Sequence, residues 1–506
     1  MTAAALVLAV ALGSSPPSDD DRRRALALLY DGYTDTAIDR LDSLTTAAPD
    51  DPMGVYLGAL AFCWKIEERP ESRALEPEFH RRVDRAIALA DARLERDPGD
   101  VRALLARGAA HGVRSRLHLF RLEGSAAARA AVRMRGDLLE VRRLDAGNKD
   151  AFFGLGLYDY YADVLPRFVK LVRFLAGIPG GNRERGLAEI AAAREGSLFH
   201  STEVEWQLYE IYAFYEEDPD RAEPEIEALR ERYPNAPLWG LKLAEHRRDR
   251  LGLFAESAAV SRQVLASVER GRPNYSPVVG DLARLSLGEA LLLDLRPGEA
   301  ATALRTVRAA ATEAWAVGPR AELLLGRALE LEGDRPGSLP HYRFAAEAVD
   351  REVRRRAERA LAAPIPDPEV RALRRLGEAR RSRGAGRPVE ALGAYRDALR
   401  LWPSCREAAL RVAEADLDAG RLAAARRGLR GLEGAKAADP PWLRPSARLL
   451  LARIHDATGD RMEALRLYKE VFKHPFGQKE LRRAAEEGLR RRWVPPAADA
   501  AAPSEP

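Results

Sequence analysis

Small and apolar residues recur along the chain in a pattern that predicts paired helices. In "LLLGRALELEGDRPGSLPHYRFAAEAV", a first helix contains the small residue Gly326, a turn follows at Gly333 and Asp334, and a second helix carries Tyr342 and Ala345. The segment "LLLARIHDATGDRMEALRLYKEVFKHP" repeats the same order. Small residues at these positions let two helices cross closely, while larger residues fill the gap to the next pair. The pattern therefore predicts stacked helical hairpins.

The spacing of these hairpins indicates a repeat architecture. Ala391 and Ala425, at corresponding points of successive second helices, lie 34 residues apart. A proline such as Pro403 after the second helix cannot continue it, so the chain turns into the next unit. These features resemble the tetratricopeptide repeat (TPR), whose period is about 34 residues. We count about nine degenerate units between residues 22 and 476, and we predict an all-α fold, an α/α superhelix in the form of a TPR-like solenoid.

Proline- and glycine-rich interruptions divide the predicted array. They lie at residues 269–278 and 361–370, and proline cannot continue a helix. We predict a signal peptide with a mature N-terminal linker at 1–20, N-terminal repeats at 21–150, an enlarged central region at 151–245, further repeats at 246–365, a C-terminal block at 366–476, a capping helix at 477–493 and a disordered tail at 494–506.

The stretch "FLAGIPGGNRERGLAEI" at residues 174–190 raises the question of a phosphate-binding loop. A P-loop follows a buried strand and ends in Gly-Lys-Ser or Gly-Lys-Thr, and this stretch has neither feature. Gly180 and Gly181 followed by Asn182 instead predict one helix ending and the next beginning. Arg183 and Arg185 at that helix start leave an anion site as the less favoured alternative.

The region around this loop resembles a second family. The block "GLGLYDYYADVLPRFVKLVRFLAGIPGGNRERGLAEI" is similar to the TPR-containing mitochondrial outer-membrane proteins implicated in lipid-droplet and inclusion clearance, and to their bacterial relatives. The resemblance covers residues 150–240, about a fifth of the chain. It implies a TPR fold and an interaction role, and it carries over no catalytic residue.

The charge of the chain does not favour nucleic-acid binding. The sequence has 81 basic and 77 acidic residues, a formal net charge of +4 and a pI near 9.0. Arginines alternate with acids, which is typical of solvated helix faces that carry ion pairs. Residues 195–231 hold twelve acids and two bases, and residues 351–400 hold fourteen bases and seven acids. Each of these faces is either plain solvated surface or a source of electric field that orients a charged partner. The basic residues 351–400 also leave RNA binding as a further alternative for the function of the solenoid.

Candidate chemistry is scarce. Cys63 and Cys405 lie far apart in the chain, and because a disulfide needs Cα atoms within about 7 Å, no disulfide is expected in an extended solenoid. His111 and His118 lie seven residues apart, but no acid or cysteine completes a metal set. We expect no catalytic residue, no metal and no cofactor, and therefore no enzyme.

The N-terminus predicts export. "MTAAALVLAVALGSSPPSDD" has an apolar run of about twelve residues, followed by small residues that suit signal-peptidase cleavage, although no Lys or Arg precedes the run. A membrane span needs about 20 residues, so none is expected in the mature chain. The prediction is a periplasmic or otherwise exported protein; the alternative is a cytoplasmic one.

Aromatic residues on the predicted first helices suggest a binding surface. Residues three to four apart on such helices face the groove, and tyrosine offers a large contact area with a polar tip. The candidate partner-binding groove comprises Tyr158, Tyr161, Gln207, Ile211 and Tyr215; alternatively, the tyrosines are core between repeats. We therefore predict a non-enzymatic scaffold that binds a protein or peptide partner in the concave groove. The alternative is a cytoplasmic assembly or regulatory adaptor with the same fold.

Overall fold

A computed structural model describes residues 17–68, 70, 72–164, 179–308, 317–434, 439–473 and 479–495. In these residues every regular element is helical, with twenty-four α-helices and two short π-helices. The predicted all-α fold class is confirmed. Most of the predicted signal peptide (1–16), the start of the glycine-rich stretch (174–178) and most of the predicted tail (496–506) lie outside the described residues.

The chain divides into two compact units. The N-terminal unit comprises Met1–Leu208 and Glu231–Ala236, and the C-terminal unit comprises Tyr209–Arg230 and Pro237–Pro506. Each unit is built of consecutive helical pairs, as the TPR resemblance implies. The finer block boundaries derived from the sequence stay a prediction.

The helices of the N-terminal unit follow one another in pairs. They are α1 (Asp19–Tyr30), α2 (Thr34–Ala47), α3 (Pro52–Glu67), α4 (Glu76–Leu94), α5 (Val101–Phe120), α6 (Gly124–Leu144), α7 (Lys149–Val164), α8 (Arg183–Ala192) and the first eight residues of α9 (Ser201–Glu210). Within each of the first four pairs, the odd-numbered helix packs on the helix after it, and α3, α5 and α7 also pack on one another in sequence order. The first helices α3, α5 and α7 therefore form one layer, and α2, α4 and α6 each pack against the first helices before and after them.

Several of these helices are capped at their N-termini by the side chain of a short polar residue. The carboxylates of Asp51 and Asp100 accept backbone N–H groups at the starts of α3 and α5. The Asn182 side chain accepts the N–H of Arg185 at the start of α8, as predicted for the glycine-rich stretch. Each cap pairs a donor that the helix itself leaves without a partner.

Helices α7 and α8 cross at glycine. A Cβ atom on Gly186 would lie 2.5 Å from the backbone nitrogen of Tyr160 and 2.7 Å from the carbonyl oxygen of Gly156. A Cβ on Gly156 would in turn lie 2.8 Å from the carbonyl oxygen of Gly186. Real Cβ contacts are not this short, so only glycine permits this separation of the two backbones.

Helices of the C-terminal unit form six further pairs. They are α11 (Pro237–His246), α12 (Phe254–Glu269), α13 (Pro277–Leu293), α14 (Pro297–Leu304), α15 (Val317–Leu331), α16 (Arg335–Ala346), α18 (Asp367–Gly384), α19 (Pro388–Leu401), α20 (Arg406–Asp418), α21 (Leu422–Gly428), α22 (Leu443–Thr458) and α23 (Arg461–Phe472). Two single helices, α17 (Arg351–Ala362) and α24 (Lys479–Arg490), pack on α16 and α23. The described residues thus hold ten pairs besides α9 and α10, where about nine units were predicted. Helix α10 (Pro219–Arg232) contains residues of both units.

The C-terminal unit contains contacts between segments that are distant in sequence. The Arg482 guanidinium lies 3.2 Å from the Asp218 carboxylate, and Arg380 Nη1 donates to the Leu293 carbonyl at 2.6 Å. In an ideal solenoid each repeat contacts only its neighbours. The stack of pairs in this unit therefore folds back on itself.

We predict that Gly186→Ala destabilises the N-terminal unit by about 1–3 kcal/mol, because the added methyl group overpacks the crossing of α7 and α8. The measurement is the free energy of unfolding in urea. The matched control is Gly136→Ala on α6, where an added Cβ meets nothing within 4 Å. There the better helix propensity of alanine stabilises by up to about 1 kcal/mol. Equal effects at both sites would contradict the close crossing.

Candidate functional site

Three of the predicted groove residues lie in the N-terminal unit, and two of them are in contact. The Tyr161 hydroxyl donates to Gln207 Oε1 at 3.2 Å, which joins α7 to α9. Tyr158 is buried, and its hydroxyl donates to the carbonyl of Pro179 at 2.9 Å. Tyr161 and Gln207 remain partly exposed, so these two can meet a partner, whereas Tyr158 offers it little surface.

The other two predicted groove residues lie in the C-terminal unit, on the π-helix Ile211–Tyr215. Ile211 is fully buried, whereas 51% of Tyr215 is exposed. Phe214 beside it is also exposed, and the Arg250 guanidinium lies 4.4 Å from the centre of its ring. Ile211 is therefore a core residue, and the accessible surface here is aromatic. The partner-binding role of all five residues stays a prediction.

A buried carboxylate, Glu203, binds side chains from several helices of the N-terminal unit. Only 3% of it is exposed. It accepts hydrogen bonds from the Tyr30 hydroxyl at 3.0 Å, from Trp64 Nε1 at 2.6 Å and from Arg116 Nη1 at 2.9 Å. Arg116 also binds Glu67 through two hydrogen bonds, at 2.8 and 2.6 Å. We call these five residues the Glu203 network.

The members of the Glu203 network come from four helices. Tyr30 ends α1, Trp64 and Glu67 lie in the last turn of α3, Arg116 lies near the end of α5, and Glu203 lies on α9. The Arg116 guanidinium also lies 4.8 Å from the centre of the Trp64 ring, in cation–π geometry. The network therefore connects the first helices of several pairs.

The start of the chain also meets residues 231–236. The Asn235 backbone and side-chain nitrogens both donate to the Asp31 carboxylate at 2.8 Å, and the Tyr30 and Tyr233 rings lie 5.8 Å apart. Nearest-neighbour stacking does not predict contacts across such sequence separations. The N-terminal unit is therefore curled, and side chains of the Glu203 network bond its first helices to one another.

A second buried chain of hydrogen bonds lies in the same unit. Asp150 Oδ1 lies 2.6 Å from His200 Nδ1, and His200 Nε2 lies 2.7 Å from the Tyr56 hydroxyl. The Ser197 hydroxyl and the Leu198 N–H also donate to Asp150, at 2.6 and 2.8 Å. Burial alone would raise the pKa of Asp150, but these donors outweigh it and lower the pKa to about 2.

The order of acid, imidazole and hydroxyl is the one found in catalytic triads, but this chain of hydrogen bonds cannot act as one. Tyr56 is buried, so a substrate has no access to its hydroxyl. Burial, followed by the charges of Glu203 and Asp150, raises the pKa of Tyr56 well above its ordinary value. Burial and the nearby Glu67 likewise raise the pKa of Cys63. The Tyr56 hydroxyl and the Cys63 thiol therefore stay protonated, and the Tyr56 hydroxyl joins α3 to His200.

Partly exposed aromatic residues lie beside the Glu203 network. The Trp64 and Trp206 rings lie 6.3 Å apart, and Gln207, next to Trp206, accepts the hydrogen bond from Tyr161. All four residues are half-buried. We call Trp64, Tyr161, Trp206 and Gln207 the first-helix strip, because all four lie on first helices of the predicted pairs.

Sequence reasoning missed the Glu203 network and both tryptophans of the strip. A signal was present, because Arg116 and Glu203 lie within otherwise largely apolar faces of predicted first helices. A charge at such a position is buried only when a partner pairs with it. The spacing along each helix does not reveal which distant helix supplies that partner.

The described part of the chain has neither a metal-ligand group nor a membrane-spanning helix. It contains no group of three or more His, Cys, Asp or Glu residues that could hold a metal ion. None of its helices is both long enough and apolar enough to cross a membrane. Cys63 and Cys405 are both buried free thiols.

Comparison with known proteins yields structural likeness only. No protein-family model and no curated protein matches the chain. The TPR domain of P58(IPK) aligns over 94% of this chain and 98% of that one, with 14% identity and a TM-score of 0.22. The APC/C hetero-tetramer Cut9–Hcn1 aligns over 96% and 97%, with 12% identity and a TM-score of 0.27. Both TM-scores lie below 0.5, so neither likeness bears on function, and the resemblance of residues 150–240 to the mitochondrial family stays a prediction.

We predict that Glu203→Gln destabilises the N-terminal unit by about 3–5 kcal/mol, because it removes one charge of a buried ion pair. Urea unfolding followed by tryptophan fluorescence measures the change. The matched control is Glu140→Gln, which removes an exposed ion pair with Arg143 on α6 and should leave the unfolding midpoint unchanged. A Glu203→Gln protein as stable as the wild type would show that the network does not hold the unit together.

Proposed function

We propose that this chain is a non-enzymatic scaffold that binds a protein or peptide partner at the first-helix strip. The observation that carries the proposal is two contacting pairs of half-buried side chains, Trp64 with Trp206 and Tyr161 with Gln207, beside the Glu203 network. Tryptophan and tyrosine contribute much of the binding energy at protein interfaces.

The network supports the proposal by holding the strip in place. The indole N–H of Trp64 is bonded to Glu203, and Arg116 lies against the Trp64 ring. A ring held in this way loses little conformational entropy when a partner covers it. The strip therefore suits a peptide with apolar side chains, which would pack against the indole rings, and with an amide or hydroxyl near Gln207.

The RNA-binding alternative rests on the basic residues 351–400. Several of these arginines pair with an acid three residues away on the same helix, among them Arg355 with Glu352 and Arg375 with Glu378. Such pairs reduce the positive field available to phosphates. This observation favours the protein-binding proposal.

We predict that Trp206→Ala and Gln207→Ala each reduce the yield of partner protein captured by the tagged full-length chain at least tenfold. Quantitative mass spectrometry of the captured proteins measures the yield, and circular dichroism checks that helical content is unchanged. The matched control is Val389→Ala on α19, which truncates a residue that is exposed in the C-terminal unit. Unchanged yields for both strip variants, or a yield abolished by ribonuclease, would contradict the proposal.

Export is the second part of the proposal, and it rests on the sequence of residues 1–20. We expect the mature protein to begin shortly after Gly13, because the small residues there suit cleavage. N-terminal sequencing of the protein purified from its native host measures this directly. A chain that still begins at Met1 or Thr2 would favour the cytoplasmic adaptor instead.

A further inference from the structure

One turn recurs at the ends of first helices in both units. A residue with positive φ donates its N–H to the carbonyl three residues back, and the next residue donates to the carbonyl five residues back. Within the described residues this turn ends seven first helices. The residue with positive φ is glycine at Gly32, Gly333, Gly386, Gly420 and Gly459, and leucine at Leu122 and Leu295.

Leucine is unfavourable at this position. Leu122 has a φ of 60° and Leu295 has a φ of 58°. In this region the Cβ atom crowds the backbone, a cost that glycine avoids. Backbone strain in a native structure persists where other contacts offset it.

Contacts with helix α18 offset the strain at Leu295. The Leu295 side chain packs against the buried cluster that includes Ala372 and Leu376 of that helix. Gly377 lies so close that a Cβ there would be 2.8 Å from the Leu295 carbonyl oxygen. Arg380, three residues later, donates to the carbonyl of Leu293 at 2.6 Å. A helix with apolar residues, a glycine and an arginine thus covers the turn between α13 and α14.

At Leu122 the apolar side chains of the same turn are exposed, although Arg121 between them is bonded to Glu76 and to the carbonyls of Pro70 and Ser72. Leu122 is 93% exposed, and Leu119 and Phe120 beside it are 57% and 37% exposed. Leu122 corresponds to Leu295, and Phe120 corresponds to Leu293. The turn between α5 and α6 therefore carries the strain of a leucine at positive φ and presents three apolar side chains to solvent.

We propose that this turn, formed by Leu119, Phe120 and Leu122, is a docking surface for an amphipathic helix of a partner protein. The helix carries a glycine or alanine where it crosses Leu122, apolar residues on the same face, and an arginine three residues later that donates to the Phe120 carbonyl. The chain's own α18 on the Leu295 turn is the template for this chemistry. The surface shares no residue with the first-helix strip and extends the proposed function.

The charges around the turn favour a protein helix over a lipid surface. Arg73 lies 3.7 Å from Glu123, and His118 Nδ1 lies 2.7 Å from the same carboxylate. The rim therefore carries both signs of charge. An anionic membrane would favour a uniformly basic rim, whereas a helix with its own charged flanks can pair with both signs.

The experiment uses the full-length protein and a labelled synthetic peptide with the sequence of Asp367–Gly384. Fluorescence anisotropy should show saturable binding, and Leu122→Ser should weaken it at least tenfold because the contact is centred on that side chain. A peptide with Gly377→Leu should bind at least tenfold more weakly to the wild-type protein. Val389→Ser, which alters an exposed apolar residue of the C-terminal unit, should leave binding unchanged.

Trp206→Ala separates this surface from the first-helix strip, because it should leave peptide binding unchanged. If Trp206→Ala weakens binding and Leu122→Ser does not, the docking proposal fails while the strip proposal stands. The proposal also fails if no peptide binds. It fails too if the protein binds vesicles of phosphatidylcholine and phosphatidylserine in a Leu122-dependent way.

Thermal unfolding tests, independently of any ligand, whether Leu122 is strained without packing contacts that offset the strain. Leu122→Gly should raise the melting temperature, because it relieves strain and loses no packing. Leu295→Gly should lower it, because the packing on α18 is lost. If both substitutions lower the melting temperature, Leu122 already contributes to the fold and the docking proposal fails.

Discussion

The pairing of Arg116 with Glu67 and Glu203 is the interaction on which the N-terminal unit depends. One guanidinium binds two carboxylates that come from helices far apart in the chain. Burying such charges costs desolvation energy that offsets most of the Coulomb attraction. The main effect of the pairing is therefore on the arrangement of the helices. A buried charge must contact its partners, and this requirement brings the first helices α3, α5 and α9 together.

These contacts between first helices that are distant in sequence distinguish the N-terminal unit from a linear solenoid. When each repeat contacts only its neighbours, stability is a sum of local terms and the ends fray independently. Here Tyr30 bonds to Glu203, and Asp31 bonds to Asn235. The first helix and residues 231–236 are thus tied together, so the N-terminal unit gains cooperativity that stacking alone does not provide. In the C-terminal unit, the contact of Arg482 with Asp218 has the same consequence.

Curling also changes which surfaces of the N-terminal unit are exposed. Much of the inner side of the first helices, which a TPR groove would expose, is filled by the Glu203 network and by the hydrogen bonds from Asp150 through His200 to Tyr56. In the described part of this unit, half-buried aromatic side chains lie at the first-helix strip, and exposed apolar side chains lie at the turn around Leu122. A buried hydrogen bond to Glu203 holds the Trp64 ring of the strip in place. Leu122 and Leu295 both have a positive φ, but only Leu295 packs against α18.

The sequence alone determined the local structure, namely the helices, their pairing, and the residues that begin and end them. Short-range patterns predicted the helices and their pairing, and the structure confirms that Gly326 lies against Tyr342, where an added Cβ would be 2.7 Å from the ring. Asn182 caps α8, and Gly459 ends α22 with a φ of +96°, because caps and turns depend on neighbouring residues alone. What only the tertiary structure decided is which helix faces meet. Periodicity shows that Glu203 belongs to a helix face. Its pairing with Arg116 and Tyr30, however, depends on the curvature that accumulates over several helical pairs. That curvature is a sum of small packing angles between helices, and no single segment encodes it.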